Sequence, residues 1–400
     1  MGLDIDTKIF GQEFNSLMGR FGTMFYGERG FQNAIGYVRG LLGPAERKNG
    51  WQLSEYLGEA APYKLQQFIY RGSYSADKMR DELRKYVGEK LGEEDGTLVM
   101  DDTGFIKKGN KSCGVKRQYS GTAGKIENCQ IGVFLTYTSS KGYSPIDRRL
   151  YIPEDWMEDK GRLKEAGVPD KVKFQTKPQM ALEMLKEATA AGVPYTWVTG
   201  DCAYGDCGYI RQWLESQKKC YVMCVSGKEY IWDQEEFKQK SVASILRDLP
   251  DNGWFEASCG DGAKGPRLYD WQAFEIEPWG RPRGWKRVML VRRSKTDKTD
   301  LRAHICYGPT GTPDEKFIEE AGKRWTVESC FQESKSEVGL DQYEVRSYTA
   351  WYNHITFSCI ALALLSVLSY LSFDGKSIQQ HDPGASSSLD NFKKKRNLRV

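Results

Sequence analysis

The sequence predicts an α/β fold: a mixed sheet with helices on its faces, a helical segment ahead of it and a β-rich insertion inside it. Three observations lead there. Apolar residues recur at helical spacing up to about residue 90; strand-like and helical runs then alternate; and a set of short aromatic-rich strand patterns interrupts that alternation before the chain turns helical again. With 400 residues, 40% of them hydrophobic and 28% charged, the chain can bury a sizeable core in two or three domains. A net charge of +4 sets up no global field toward a polyanion, so any electrostatic attraction has to come from local clusters.

Residues 1–92 read as helical. "WQLSEYLGEAAPYKLQQFIYRG" is broken at Gly58 and Pro62, and "SADKMRDELRKYVGEKL" opens on a cap-like Ser75. Such a bundle suits DNA contact through a helix-turn-helix-like unit, and equally suits packing or dimerisation. Across 93–227, "TLVMDD", "CQIGVFLTYTS" and "SPIDRRLYIP" are strands. "KPQMALEMLKEATAAGV" then reads as helix, "YTWVTGD" as strand, "GYIRQWLESQ" as helix and "KCYVMCVS" as strand. Three strands followed by alternating helix and strand is the order of an RNase H-like core. Residues 228–313 form the β-rich insertion, 314–373 return to helices of the core, and 374–400 read as a polar, disordered tail ending in a basic cluster.

The ten cysteines include no CxxC pair, and the three histidines are His304, His354 and His381, so a zinc site is not expected. Reduced, mostly buried thiols in a cytoplasmic protein fit better. "MGLDIDTKIF" lacks the basic and apolar regions of a secretion signal, and Asp6 replaces the hydroxyl residue that myristoylation prefers. "ITFSCIALALLSVLSYLS", 355–372, approaches a membrane span in length, but its Ser and Thr residues and its flanks favour a buried core helix, and no membrane partner is expected.

The chemistry concentrates in acids at strand ends. "LVMDDTGF" runs from an apolar strand into Asp101 and Asp102, and "YTWVTGD" ends on Asp201. In the strand order above, the first and fourth strands are neighbours, so these ends converge; two acids so close repel unless a cation is shared between them. A third acid is sought on a helix. In "KRWTVESCFQESK" Glu328 follows Arg324 by four residues and Lys335 follows Glu328 by seven, steps that leave each within about 40° of the one before. The same spacing also makes a structural ion-pair ladder. Oxygen donors with few histidines suit Mg²⁺ or Mn²⁺, and two such ions serve phosphodiester chemistry, with Arg324 and Lys335 gripping phosphate oxygens.

"DDTGFIKKG" (101–109), "RQYSGTAGK" (117–125), "RRLYIPEDW" (148–156), "GDCAYGD" (200–206) and "RWTVESCFQESKSEVGLDQYEVRSYTAWYNHI" (324–355) together resemble bacterial insertion-sequence transposases of the DDE superfamily, in the branch carrying a Tyr-Arg-Glu-Lys signature. Arg324, Glu328 and Lys335 meet the Arg, Glu and Lys of that signature, while Ala321 stands where the family has its Tyr. The resemblance implies a metal-binding triad of Asp101, Asp201 and Glu328. The Asp-x-Thr register ending in Thr103 favours Asp101 over Asp102, which strand alternation leaves open.

The resemblance further implies strand cleavage at terminal inverted repeats, attack of the freed 3′-hydroxyl on target DNA, and a homodimer on paired ends, in a bacterial cytoplasm and at the nucleoid when bound to DNA. Trp279 and Trp285 flank "GRPRG", where relatives place an aromatic that stacks on an extruded base; core aromatics of a small β-domain explain them as well. Lys107, Lys108, Lys111, Lys116, Arg117 and Lys125 make the stretch after the first aspartates a basic loop suited to DNA phosphates, or simply a solvated one. Two rival functions remain: a transposase-derived DNA-binding protein without cleavage activity, and a non-transposase RNase H-like nuclease.

Overall fold

The computed structural model describes residues 7–233, 238–262, 265–276 and 282–377. The chain divides into two compact units. One contains the described residues up to Gly92, then Asp102–Val193 and the described residues from Glu328; the other contains Glu93–Asp101 and Pro194–Val327. Trp279 and the tail from residue 378 lie outside the described residues.

The first unit opens with helices α1 (Thr7–Gly19), α2 (Gly27–Leu42), α3 (Gly50–Tyr56), α4 (Tyr63–Arg71) and α5 (Ala76–Lys90). Side-chain caps start two of them. Asn49 accepts from the backbone N–H groups of Trp51 and Gln52 ahead of α3, and Ser75 from that of Lys78 ahead of α5. Strand β1 (Thr97–Ile106) is shared, its first half in the second unit and its second half in the first. The strand is longer than the sequence pattern indicates, so Asp101 and Asp102 lie within it rather than at its end. Its neighbour β3 (Lys125–Ser139) pairs antiparallel with β2 (Lys116–Ser120) through its first residues and with β4 (Gly142–Tyr151) along the rest. The stretch read as a glycine-rich loop thus contains a short edge strand. Its polar residues face solvent while Ser120 is buried against Gly104.

After α6 (Glu154–Glu158) and α7 (Lys160–Glu165) comes α8 (Lys177–Ala190), which opens on a capping box between Thr176 and Gln179 with Pro178 in the first turn, and packs on β3 and β4.

In the second unit β5 (Trp197–Gly200) lies parallel to β1 and β6 (Cys220–Val225) parallel to β5, joined through α9 (Cys202–Gly205) and α10 (Gly208–Ser216). The strand order β4-β3-β1-β5-β6 is that of an RNase H-like core. A small hairpin, β7 (Tyr230–Asp233) and β8 (Lys238–Ser241), and α11 (Val242–Arg247) follow. The strand-rich stretch beyond is continuous with the sheet: β9 (Phe255–Gly262), β10 (Gly265–Ile276), β11 (Trp285–Arg293) and β12 (Leu301–Pro309) form an antiparallel run whose last strand pairs with β6. This covers an edge that β6 would otherwise expose.

Two long helices complete the described residues, α12 (Asp314–Ser336) and α13 (Tyr348–Ser377). The first half of α12 packs Phe317, Ile318 and Ala321 into a core with Trp197, Val222 and Trp271. At Gly322 a Cβ would sit 1.7 Å from the Cys259 carbonyl oxygen, so α12 lies directly on β9. Ala321, where the resemblance would put a tyrosine, is buried beside it. Helix α13 packs against α2, α4, α5 and β4, and most of its apolar stretch is buried by the protein itself, as expected for a core helix.

The "RR" of the 148–156 motif belongs to a buried ion cluster in the first unit. Asp147, with 0% side-chain exposure, accepts from Arg84 at 2.6 Å, Arg149 at 2.7 Å and Arg80 at 3.2 Å. Arg148 reaches Asp77 and the Thr356 hydroxyl. Burial alone would raise the Asp147 carboxyl, but Arg149, Arg80 and Arg84 together carry it below the usual range. Its stabilising contribution is therefore present above the ordinary carboxylate pKa and lost as pH falls through the lower folded-state value. We expect Asp147→Ala, which strands three arginines in the interior, to cost about 3–5 kcal/mol in urea denaturation at neutral pH. The gap between variant and parent should narrow below about pH 4.

Candidate active site

The parallel pairing of β1 with β5 builds the site. Leu98 pairs with Val198, Val99 with Thr199 and Met100 with Gly200, so Asp101 and Asp201 are the next residues on adjacent strands. Leu98, Val99, Met100 and the whole of β5 are buried, whereas both aspartates are partly exposed. The two carboxylates stand where a dry sheet meets solvent. At Gly200 an added Cβ would press on Met100 and Tyr204, which keeps the chain close to β1 at this point.

Beyond Gly200 the "DCAYGD" turn is pinned at several places. Asp201 caps α9 by accepting the Ala203 N–H at 2.9 Å, and Asp206 accepts the Ser226 N–H at 2.8 Å. Arg211 donates to the Gly205 carbonyl and to Glu229. On the same side of the unit lies Arg324, whose charge bears on Cys224 and on His304. The Cys224 thiol is pushed up by its bond to Cys202 and by burial, with Arg324 acting against them. Burial, then the charge of Arg292, hold His304 down to about 3, so it is neutral. His354, likewise buried, is held down to about 4 and is bonded to Tyr37. Neither is placed as a metal ligand.

In the first unit Asp102 is held by Lys177 of α8 at 2.9 Å, an interaction between residues 75 apart in the chain. Lys335 sends its amine to the Thr103 hydroxyl at 2.8 Å, the Thr122 hydroxyl at 2.9 Å and the Gly104 carbonyl at 3.3 Å, and burial lowers its pKa. It thereby ties the end of α12 to the strand that carries the aspartates. Glu328, two turns earlier on α12, has an exposed side chain.

The basic residues after β1 divide by environment. Lys107 turns inward over the Tyr343 ring at 3.5 Å and is lowered to about 8 by burial. Lys108 and Arg117 are exposed. Lys111, Lys116 and Lys125 are exposed in ion pairs with Glu165, Asp155 and Glu127, weak pairs that a phosphate can replace. Trp285 stacks on Tyr307 at 4.7 Å and packs on the core of the second unit. An aromatic platform absent from the sequence reading lies nearby in chain terms: Trp325 stacks parallel to Tyr269, with Arg267 and Arg292 over its ring.

Among the described residues no group of three or more His, Cys, Asp or Glu is gathered as a metal cage. The donors here are two carboxylates, Asp101 within β1 and Asp201 just beyond β5. One or two carboxylates, completed by water and substrate phosphate, is the habit of Mg²⁺, so the residues present fit a hard divalent cation and not zinc.

Residues 28–244, more than half of the chain, match the family described as DDE superfamily endonuclease. The chain belongs to that superfamily. It is an endonuclease, an enzyme that cleaves nucleic acid, and the superfamily's chemistry relies on divalent cations. The matched residues include Asp101, Asp102 and Asp201 and stop before Glu328. The chain is also 24% identical over 334 residues to the "Probable transposase for insertion sequence element IS701" of Microchaete diplosiphon, covering 82% of this chain and 80% of that one. The NurA nuclease from Sulfolobus solfataricus superposes on 62% of this chain and 81% of its own at 10% identity, with a TM-score of 0.25, too loose a match to inform the fold.

For this endonuclease, replacing Lys335 with Met leaves the Thr103 and Thr122 hydroxyls without their donor. The expected loss is about 1–3 kcal/mol of stability by urea denaturation. Lys335→Arg should recover part of it, and a variant as stable as the parent would show the three hydrogen bonds to be idle.

Proposed function

We propose that this endonuclease is a transposase that hydrolyses phosphodiester bonds at the ends of an insertion sequence and joins the freed 3′-hydroxyl to target DNA, acting as a dimer on paired inverted repeats. The register that sets Asp101 beside Asp201 is the observation that carries this reading. The similarity to a probable insertion-sequence transposase over most of both chains supports it.

In this reading Asp101, Asp201 and Glu328 hold Mg²⁺ or Mn²⁺. A bound divalent cation supplies Lewis-acid stabilisation of the charge that builds on the phosphate and the departing oxygen. Asp101 is preferred over Asp102 because Lys177 already neutralises Asp102. Thr103 and Asp101 are two positions apart on β1 and share a strand face, and Lys335 and Glu328 share a helix face. The bond between Lys335 and Thr103, which holds the end of α12 against the second half of β1, supports this reading. Lys335 is a positioning residue; Arg324, beside Cys224 and half-buried, is the cation that meets substrate phosphate.

The N-terminal helices offer a place for the transposon end. Between α2 and α4 a groove of about 470 Å³ is lined by Tyr26, Arg29, Tyr63, Lys64 and Arg71 among others. Tyr26 is 90% and Tyr63 69% exposed. Hydroxyls and guanidinium groups so placed suit phosphate oxygens.

Two measurements test the reading. With purified protein, end DNA and Mg²⁺, Asp201→Asn and Glu328→Gln should each abolish strand cleavage while retaining end binding in a gel-shift assay; cleavage retained by both rejects the triad. Replacing Arg29 and Arg71 together with Ala should weaken end binding and flatten its dependence on log salt by about two units if both contact phosphates.

A further inference from the structure

We infer that Cys202 and Cys224 are a reversible oxidation site, and that the disulfide they form switches off the centre at Asp201; the switching part rests on the cleavage reading given above. Seven of the ten cysteines are buried, all ten are free, and Cys202 and Cys224 are both half-buried and open to a small oxidant. Their sulfurs are 3.2 Å apart.

The backbone sets this approach. Gly200 pairs with Met223, so Cys224 follows directly on β6 while the other strand passes through Asp201 into Cys202, the first residue of α9. Helix α9 lies flat on the end of β6: a Cβ at Gly205 would come within 1.8 Å of the Cys224 carbonyl oxygen, and Asp206 is anchored on the Ser226 N–H. With a disulfide bond length of about 2.05 Å, the sulfurs need to close by only roughly 1.2 Å.

The oxidant is a hydroperoxide. One thiolate attacks the terminal peroxide oxygen, the O–O bond breaks, and a sulfenic acid and water (or an alcohol) form. The second thiol then attacks that sulfur and expels water. In sum, two thiols and one hydrogen peroxide give one disulfide and two waters; each sulfur loses one electron and the peroxide gains two. A dithiol reverses the bond by exchange.

Cys202 directly follows Asp201, so its movement toward Cys224 is passed on to that neighbour. Asp201 holds the start of α9 through the Ala203 N–H, so drawing Cys202 onto β6 turns the Asp201 carboxylate away from its place beside Asp101. The expected effect is a fall in cleavage of tenfold or more.

The test treats the full chain with hydrogen peroxide, blocks remaining thiols with N-ethylmaleimide, and maps cross-links by peptide mass alongside Mg²⁺-dependent cleavage of end DNA. A 202–224 cross-link, cleavage reduced at least tenfold, and recovery with dithiothreitol are expected. Cys224→Ser should cleave as the reduced parent does and resist peroxide, while Cys207→Ser should remain sensitive. Absence of the 202–224 cross-link overturns the site. Undiminished cleavage by the cross-linked protein, or equal peroxide sensitivity in Cys224→Ser, overturns the switch. If the reduced protein does not cleave at all, the cleavage reading fails on its own. The switch is then read from Mn²⁺ binding by electron paramagnetic resonance, and equal binding by reduced and oxidised protein overturns it.

Discussion

The register between β1 and β5 is the constraint on which everything else depends. Side chains alternate along a strand, so a slip of one residue would send one of the two aspartates to the opposite face of the sheet. The register is held from several directions. The backbone N–H groups of Thr196 and Trp197 both donate to the Gly96 carbonyl, at 3.0 and 3.2 Å. The Thr199 hydroxyl bonds across to the Val222 carbonyl, and the Thr97 hydroxyl donates to the buried Glu320 at 2.6 Å. Glu320 is in turn neutralised by Lys316 and Lys323. Hydrogen bonds around an apolar strand pair thus fix two charged groups that the strands themselves would not favour.

A division of labour among charged residues follows. The "RRLYIPEDW" motif is rich in arginine and acid, and its arginines are committed to Asp147 and to neighbouring helices. Their field is cancelled inside the first unit. The residues left at the sheet's solvent edge are fewer: Asp101 and Asp201 on the strands, with Arg324 on the β6 side. Lys335 belongs between the two groups, since its charge is spent on hydroxyl and carbonyl oxygens of β1.

Much of the fold was legible in the sequence because buried parallel strands read as unbroken apolar runs, and "LVM" and "YVMCV" announce themselves. The converging aspartates followed from strand order alone. Other features were hidden for identifiable reasons. The edge strand β2 is polar and short, so its pattern reads as loop. The partners Lys177 for Asp102 and Thr103 for Lys335 lie far away in the chain, and no local periodicity encodes them. Lys107 counts as basic in composition, but its amine faces a tyrosine ring. The packing of α12 on β9 at Gly322 is likewise a contact between distant stretches of chain that no local pattern encodes.

The pairing of β1 with β5 also has a cost during synthesis. The ribosome delivers β1 about a hundred residues ahead of the strand it must meet, a delay of roughly 5–20 s at ordinary elongation rates. Throughout that interval the apolar segment Leu98–Met100 is a nascent strand lacking its parallel neighbour, and such a segment invites capture by another chain. The two adjacent acids that follow it place negative charge against the bare strand, where it repels an identical segment emerging from a neighbouring ribosome. The same carboxylates can therefore act as gatekeepers for the growing polypeptide before the fold that brings them together exists.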